Sequence, residues 1–77
     1  MEGGLNMKAD ITKMATQDII LLMREWSEET QEKFSNSVNR SYSSITKIET
    51  GERNIYLHTF LEWCKLKGIK VTMEKVK

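Results

Sequence analysis

The sequence has no proline, one cysteine, one histidine and no apolar run longer than the five residues Ile19–Met23. Each shortage removes a class of answer. Without proline, element boundaries must be set by capping side chains, glycines and left-handed residues. A lone Cys64 builds no disulfide framework, and with no secretory pattern beside it the expected setting is a reducing cytoplasm. Five apolar residues fall far short of the roughly 18 that a membrane-spanning helix needs, so no membrane partner is expected. His58 has no Cys, Asp or Glu at ligand spacing, so no metal site is expected. No Ser-His-Asp, Cys-His or paired-carboxylate arrangement emerges, and there is no glycine-rich phosphate loop. The expectation is therefore no enzyme and no cofactor.

Strong basicity is missing too. The formal net charge is +1, modest for a chain that meets nucleic acid. Its distribution is more useful: residues 1–29 carry net −3, residues 30–55 net +1 and residues 56–77 net +3. The acidic excess lies in the first third, which leaves the middle and end free to face phosphates.

What is present is a series of short amphipathic segments. Seventy-seven residues make one small domain, burying only about 60% of its unfolded surface. The pattern predicts a flexible extension over 1–15, a domain over 16–68 and a strand or tail over 69–77. The stretch Met1-Glu-Gly-Gly-Leu-Asn-Met7 lacks the charge and apolar length of a signal peptide and is expected to pack loosely. A first helix is predicted from Thr16 or Gln17 to Trp26, with Thr16 as cap, Asp18 in the first turn and an apolar stripe of Ile19, Ile20, Met23 and Trp26. An extension backwards over 9–15 from an Asp10 cap is the alternative.

Thr30 is a good cap for a second helix, Gln31 to Val38, with Phe34 and Val38 on one face. Asn39, tolerant of left-handed angles, marks a sharp turn. Ser41 then caps a third helix, Tyr42 to about Thr50, whose inner face is Ile45 and Ile48 and which Gly51 ends. A fourth helix is predicted from about Asn54 to Lys67, with Leu57, Phe60, Leu61 and Cys64 as its buried stripe. After Gly68, the run Ile69-Lys-Val71-Thr-Met73-Glu alternates apolar and polar, which is strand periodicity. A strand here needs a partner, either in a second copy or in the N-terminal tail.

The outward side of the third helix carries small hydroxyls, one phenol and one lysine. It has little to bury and much to place against hydrogen-bonding edges such as those of bases in the major groove of DNA.

Over Arg24 to about Ile69, the residues Thr30-Gln31-Glu32-Lys33-Phe34-Ser35, Ser41, Ser44-Ile45-Thr46-Lys47-Ile48-Glu49, Gly51, Arg53-Asn54 and Leu57-His58-Thr59-Phe60-Leu61 form a recognisable series. Through them the chain resembles the Cro/cI-type (Xre) helix-turn-helix regulators of phage and bacteria. The resemblance implies an all-α, lambda-repressor-like bundle of four to five helices, to which the alternating run after Gly68 adds an expected C-terminal β-strand used in dimerisation. It implies that Tyr42, Ser43, Thr46 and Lys47 face bases or nearby phosphates, and that Gln31, Arg53 and Asn54 touch phosphate. Ser41, Ser44 and Arg40 join the expected phosphate contacts. Arg24 and Glu49 match a structural ion pair between the first and third helices.

The chain departs from that pattern at several points. Ser35 stands where a small alanine is usual, and Asn39 at the usual turn glycine. Arg40 and Glu29 occupy positions that are usually apolar, and Leu66 and Lys67 look exchanged at the end of the fourth helix. The alternating segment stands where a fifth helix is usual, so Trp63, Ile69, Val71 and Met73 are the expected dimer contacts.

The expected function is a sequence-specific double-stranded DNA-binding regulator, a repressor that binds an inverted-repeat operator as a homodimer. The competing reading is a protein-interaction module or antitoxin, with the helix-turn-helix as scaffold and a toxin as partner. An activator that touches polymerase would use the same fold.

Overall fold

Thr30 and Ser41 act as the sequence predicts. In the computed structural model, which describes residues 7–77, a 3-10 turn at Ile11–Lys13 precedes four helices. These are α1 (Thr16–Trp26), α2 (Gln31–Ser37), α3 (Tyr42–Glu49) and α4 (Leu57–Leu66). Residues 1–6 of the predicted extension lie outside the described residues. The Thr30 hydroxyl accepts from the Lys33 amide at 3.2 Å and the Ser41 hydroxyl from the Ser44 amide at 3.0 Å. Each such cap contributes about 1 kcal/mol.

The helix starts differ in detail from expectation, and the alternative extension from Asp10 does not form. Ala15, not Thr16, holds the cap position of α1 and makes no side-chain cap bond; Asp18 in the first turn is what complements the helix dipole. Asp10 caps only the 3-10 turn, because Met14 is extended and breaks any continuation into α1. The last helix starts at Leu57, after an extended Tyr56 and three residues later than the stripe suggested.

The turn residues carry the backbone angles their types favour. Asn39 sits at φ 59°, and the Arg40 amide donates back to the Ser35 carbonyl at 2.8 Å. Gly51 sits at φ 86°, where the Glu52 amide donates to the Lys47 carbonyl at 2.9 Å. A Cβ on Gly51 would also collide with the Gln17 side-chain oxygen, so glycine lets the end of α3 approach α1.

One core joins all four helices: Ile20 and Met23 of α1, Phe34 of α2 with Val38 at its C-terminal cap, Ile45 and Ile48 of α3, and Trp63 and Cys64 of α4. Ile55, Phe60 and Ile69 pack at its edge. Ser35 is buried with its hydroxyl donating to the Glu32 carbonyl at 2.7 Å, and its small volume suits the close contact of α2 with α3.

The α4 face corrects the sequence reading. Leu57 is 71% exposed and Leu61 is also exposed, while Thr59, Trp63 and Cys64 are buried. A tryptophan covers far more area than a leucine, and Trp63 packs edge-on against Phe34 with centroids 5.7 Å apart. The competing stripe through Trp63 wins, and the helix rolls to bury it. Trp63 is thus 3% exposed and offers no surface to a dimer partner, contrary to expectation.

No strand occurs among the described residues, so the predicted C-terminal strand is absent from the fold. The physical reason is direct: a strand needs a neighbour to satisfy its amides, and the described residues supply none. Instead the Ile69 amide closes the end of α4 by donating to the Cys64 carbonyl at 2.8 Å. Ile69 then packs against the core, while Val71 and Met73 are exposed. The segment after Gly68 lines a groove of mixed polarity with Ile19, Leu22 and Trp26 of α1 and Phe60 of α4. Among the described residues no helix is long and apolar enough to cross a membrane.

Candidate nucleic-acid interface

The inner side of α3 sets its outer side. Ile45 and Ile48 are wholly buried, which turns Tyr42, Ser43 and Lys47 outwards; all three are exposed, Tyr42 by 56%. Among the described residues no ion pair takes up Lys47. Thr46 is half-buried, and its hydroxyl donates to the Tyr42 carbonyl at 3.1 Å. With that hydrogen committed inside the helix, Thr46 can offer a base an acceptor or a methyl group.

The orientation of α3 is held by an ion pair. Arg24 Nε donates to Glu49 Oε2 at 2.7 Å and Nη2 to Oε1 at 3.1 Å, a two-point contact between α1 and the end of α3. Arg24 Nη1 also donates to the Glu29 carbonyl at 3.1 Å, which ties in the start of α2. The hydrogen bond to Glu49, with its charge, holds the Arg24 guanidinium above its usual pKa against the opposing effect of burial. The Glu49 side chain is only 6% exposed, so these partners stand in for most of the water its carboxylate would otherwise bind.

Gln31 belongs to the same network. Its Nε2 donates to Glu49 Oε1 at 2.9 Å, a contact the spacing of 18 residues gave no reason to expect. The residue expected at phosphate is half-buried, with one amide hydrogen in the ion pair and a second amide hydrogen and its carbonyl oxygen left for an outside ligand.

The other expected phosphate contacts divide in two. Ser41 and Ser44 act within the protein: the Ser41 oxygen caps α3, and the Ser44 hydroxyl accepts from Arg53 Nη1 at 2.8 Å. Arg40, Arg53 and Asn54 are exposed and line one cleft with Ile55 and Tyr56. The Arg40 guanidinium lies 5.6 Å from the centroid of the Trp63 ring, a cation–π contact in place of the apolar contact expected there.

Two pairs were not foreseen. Lys67 Nζ meets Glu29 Oε1 at 2.7 Å, also donates to Ser37 Oγ, and lies 5.1 Å from the Phe34 ring centroid. The signal was present as two departures from the family pattern, but nothing in the sequence joined them. Tyr56 and His58 stack with centroids 5.7 Å apart and planes 10° from parallel, on the exposed start of α4. No cluster of three metal-ligating side chains occurs among the described residues.

Comparison with family models, curated proteins and solved structures gives no match for this chain. What the interface can do must therefore be argued from its own chemistry.

Proposed function

We propose that this chain is a sequence-specific regulator that binds double-stranded DNA, with α2, its turn and α3 acting as a lambda-repressor-like helix-turn-helix. The observation that carries the reading is the division of α3, with Ile45 and Ile48 fully buried and Tyr42, Ser43 and Lys47 exposed on the other side. Laid in the major groove, such a helix brings hydroxyls and one cation to base edges. Gln31, Arg40, Arg53 and Asn54 supply the flanking phosphate contacts, while Arg24 and Glu49 keep α3 at a fixed angle to the rest.

One recognition helix reads few base pairs, so useful specificity calls for two copies and an inverted-repeat operator. The described chain measures 38 × 34 × 18 Å. A dimer that reads such an operator must space its two α3 helices by about 34–36 Å, one turn of B-DNA. The exposed side chains of Val71 and Met73 are the surface for that pairing, with Ile69 held back in the core. Accordingly Met73→Lys tests dimerisation cleanly, because Met73 is 98% exposed. Ile69→Lys would disturb the fold as well. Bound over a promoter in the cytoplasm, such a dimer represses.

The low net charge of +1 predicts non-specific affinity near the weak end of about 10⁻⁴–10⁻⁶ M at physiological salt. A gel shift against genomic fragments at low salt tests the proposal: one fragment preferred over the rest supports it. A folded protein with no preferred fragment would favour the second reading, an interaction module or antitoxin. That reading draws on the apolar exposure of Leu57, Val71, Met73 and Val76 and on a partner protein such as a toxin.

A further inference from the structure

The α2–α3 turn and the α3–α4 connection meet at a shallow cleft lined by Arg40, Arg53, Asn54, Ile55 and Tyr56. Two arginines and an asparagine are among its lining residues, and no acidic residue is. Each guanidinium is steadied by something other than an acid. Arg53 leans on the Ser44 hydroxyl, and Arg40 lies against the Trp63 ring. Among the described residues neither takes part in an ion pair. Two like charges lining one cleft repel each other unless an anion sits between them.

A third observation points the same way. Tyr56, on the cleft wall, is the cap residue of the ten-residue α4, makes no side-chain cap bond, and is followed by a first turn with no acid. The first amides of α4 therefore have no side-chain acceptor and open beside the two arginines.

We infer that Arg40 and Arg53 close on one and the same DNA backbone phosphate, a two-armed clamp completed by Asn54 and the start of α4. The inference deepens the DNA-binding reading and rests on it for the source of the phosphate. Arg40 is the arm particular to this chain, since the resemblance places an apolar residue there. Planar guanidinium groups suit this task, because each can present two N–H bonds to neighbouring phosphate oxygens. A phosphate gripped from both connections would pin α3 in register from both of its ends.

Two measurements on the full chain test it. In the first, inorganic phosphate is titrated at constant ionic strength and followed by ¹H–¹⁵N NMR. Saturable shifts are expected in the amides from Asn54 to Thr59 and in the Nε signals of Arg40 and Arg53. Arg40→Gln and Arg53→Gln should each weaken that binding about tenfold, the loss of one charge-assisted contact. In the second, the salt dependence of duplex binding is compared with that of the double variant. Loss of one shared phosphate lowers the slope of log K against log salt by about 0.9, whereas two separate phosphates would lower it by about 1.8.

The larger slope change, or phosphate shifts that never saturate at the cleft, overturns the clamp. Saturable phosphate binding without affinity for any duplex would instead remove the DNA reading and leave an oxyanion site standing. Arg53 is exposed, and Gln at position 40 keeps most of the stem over Trp63, so both variants should fold. If Arg40→Gln does not, Arg53→Gln and Asn54→Ala carry the same test.

Discussion

Lys67 Nζ and Glu29 Oε1 lie 2.7 Å apart, joining the end of α4 to the residue before the Thr30 cap of α2. Both positions depart from the apolar pattern of the regulators that the sequence resembles, and each departure answers the other. Neither side chain is freely solvated, and Lys67 also covers the Phe34 ring. An ion pair thus replaces an apolar contact across 38 residues of sequence.

The pair makes an asymmetric prediction. Glu29→Ala or Lys67→Ala leaves a partly buried charge alone and should cost about 1.5–3 kcal/mol. Replacing both by leucine should return stability to within about 1 kcal/mol of the original or exceed it, because two apolar groups need no desolvation compensation. Urea melts of the three variants decide it, and strictly additive losses would mean that the two residues do not depend on each other.

Arg24 and Glu49 are unequal partners. Removing Arg24 strands a carboxylate that is almost fully buried, so Arg24→Met should cost about 3–5 kcal/mol, comparable with the whole stability of a domain this small. Glu49→Gln removes the charge but keeps an acceptor, and the more exposed Arg24 can turn to water. It should be clearly milder. Circular dichroism at room temperature gives the comparison: Arg24→Met largely unfolded, Glu49→Gln folded.

Glu28 is held at φ 55° on the surface, a conformation that costs an ordinary L-residue about 1–2 kcal/mol. Glycine removes that strain and returns about 0.4–1 kcal/mol through the freer unfolded chain. Glu28→Gly should therefore stabilise the protein by about 0.5–1 kcal/mol, seen as a higher Tm. At Asn39, φ 59°, the gain from glycine should be smaller, because asparagine already tolerates the angle.

Cys64 is buried, and burial pushes its thiol above the usual pKa. The folded state holds its proton more tightly than the unfolded chain. The stabilising difference is complete below the unfolded pKa and is lost as pH climbs through the folded value. Stability should thus decline on the alkaline side of about pH 8.5, where an unfolded thiol begins to ionise. At neutral pH a disulfide reagent should modify Cys64 only as fast as the protein opens, and urea should speed it. Immediate reaction in native buffer would show the thiol to be accessible.

How much of this could be read in advance follows the range of each interaction. Thr30, Ser41, Asn39 and Gly51 act within a few residues of themselves, and their types announce their roles. The inward side of α3 was legible because Ile45 and Ile48 have no competing apolar stripe. On α4 two stripes compete, and the choice depends on Phe34, 29 residues before Trp63, which periodicity does not register. The bond from Gln31 to Glu49 and the pair of Glu29 with Lys67 are likewise tertiary, invisible to spacing. The alternating run after Gly68 shows the opposite failure: its period is that of a strand, but a strand exists only beside another. In the site, Tyr42, Ser43 and Lys47 were legible as an outward face, whereas the meeting of Arg40 with Arg53 at one cleft depends on how two connections fold together.

The sharpest test of α3 as a reader of DNA is a selection of bound duplexes from a random pool, run with the original chain and with Lys47→Ala. The first should enrich an inverted repeat with half-sites about one helical turn apart. The variant should lose preference at one position in each half-site, where a good contact is worth about 1–3 kcal/mol of discrimination. Enrichment of the same motif with unchanged preference at every position, or of no motif by the original chain, would contradict it.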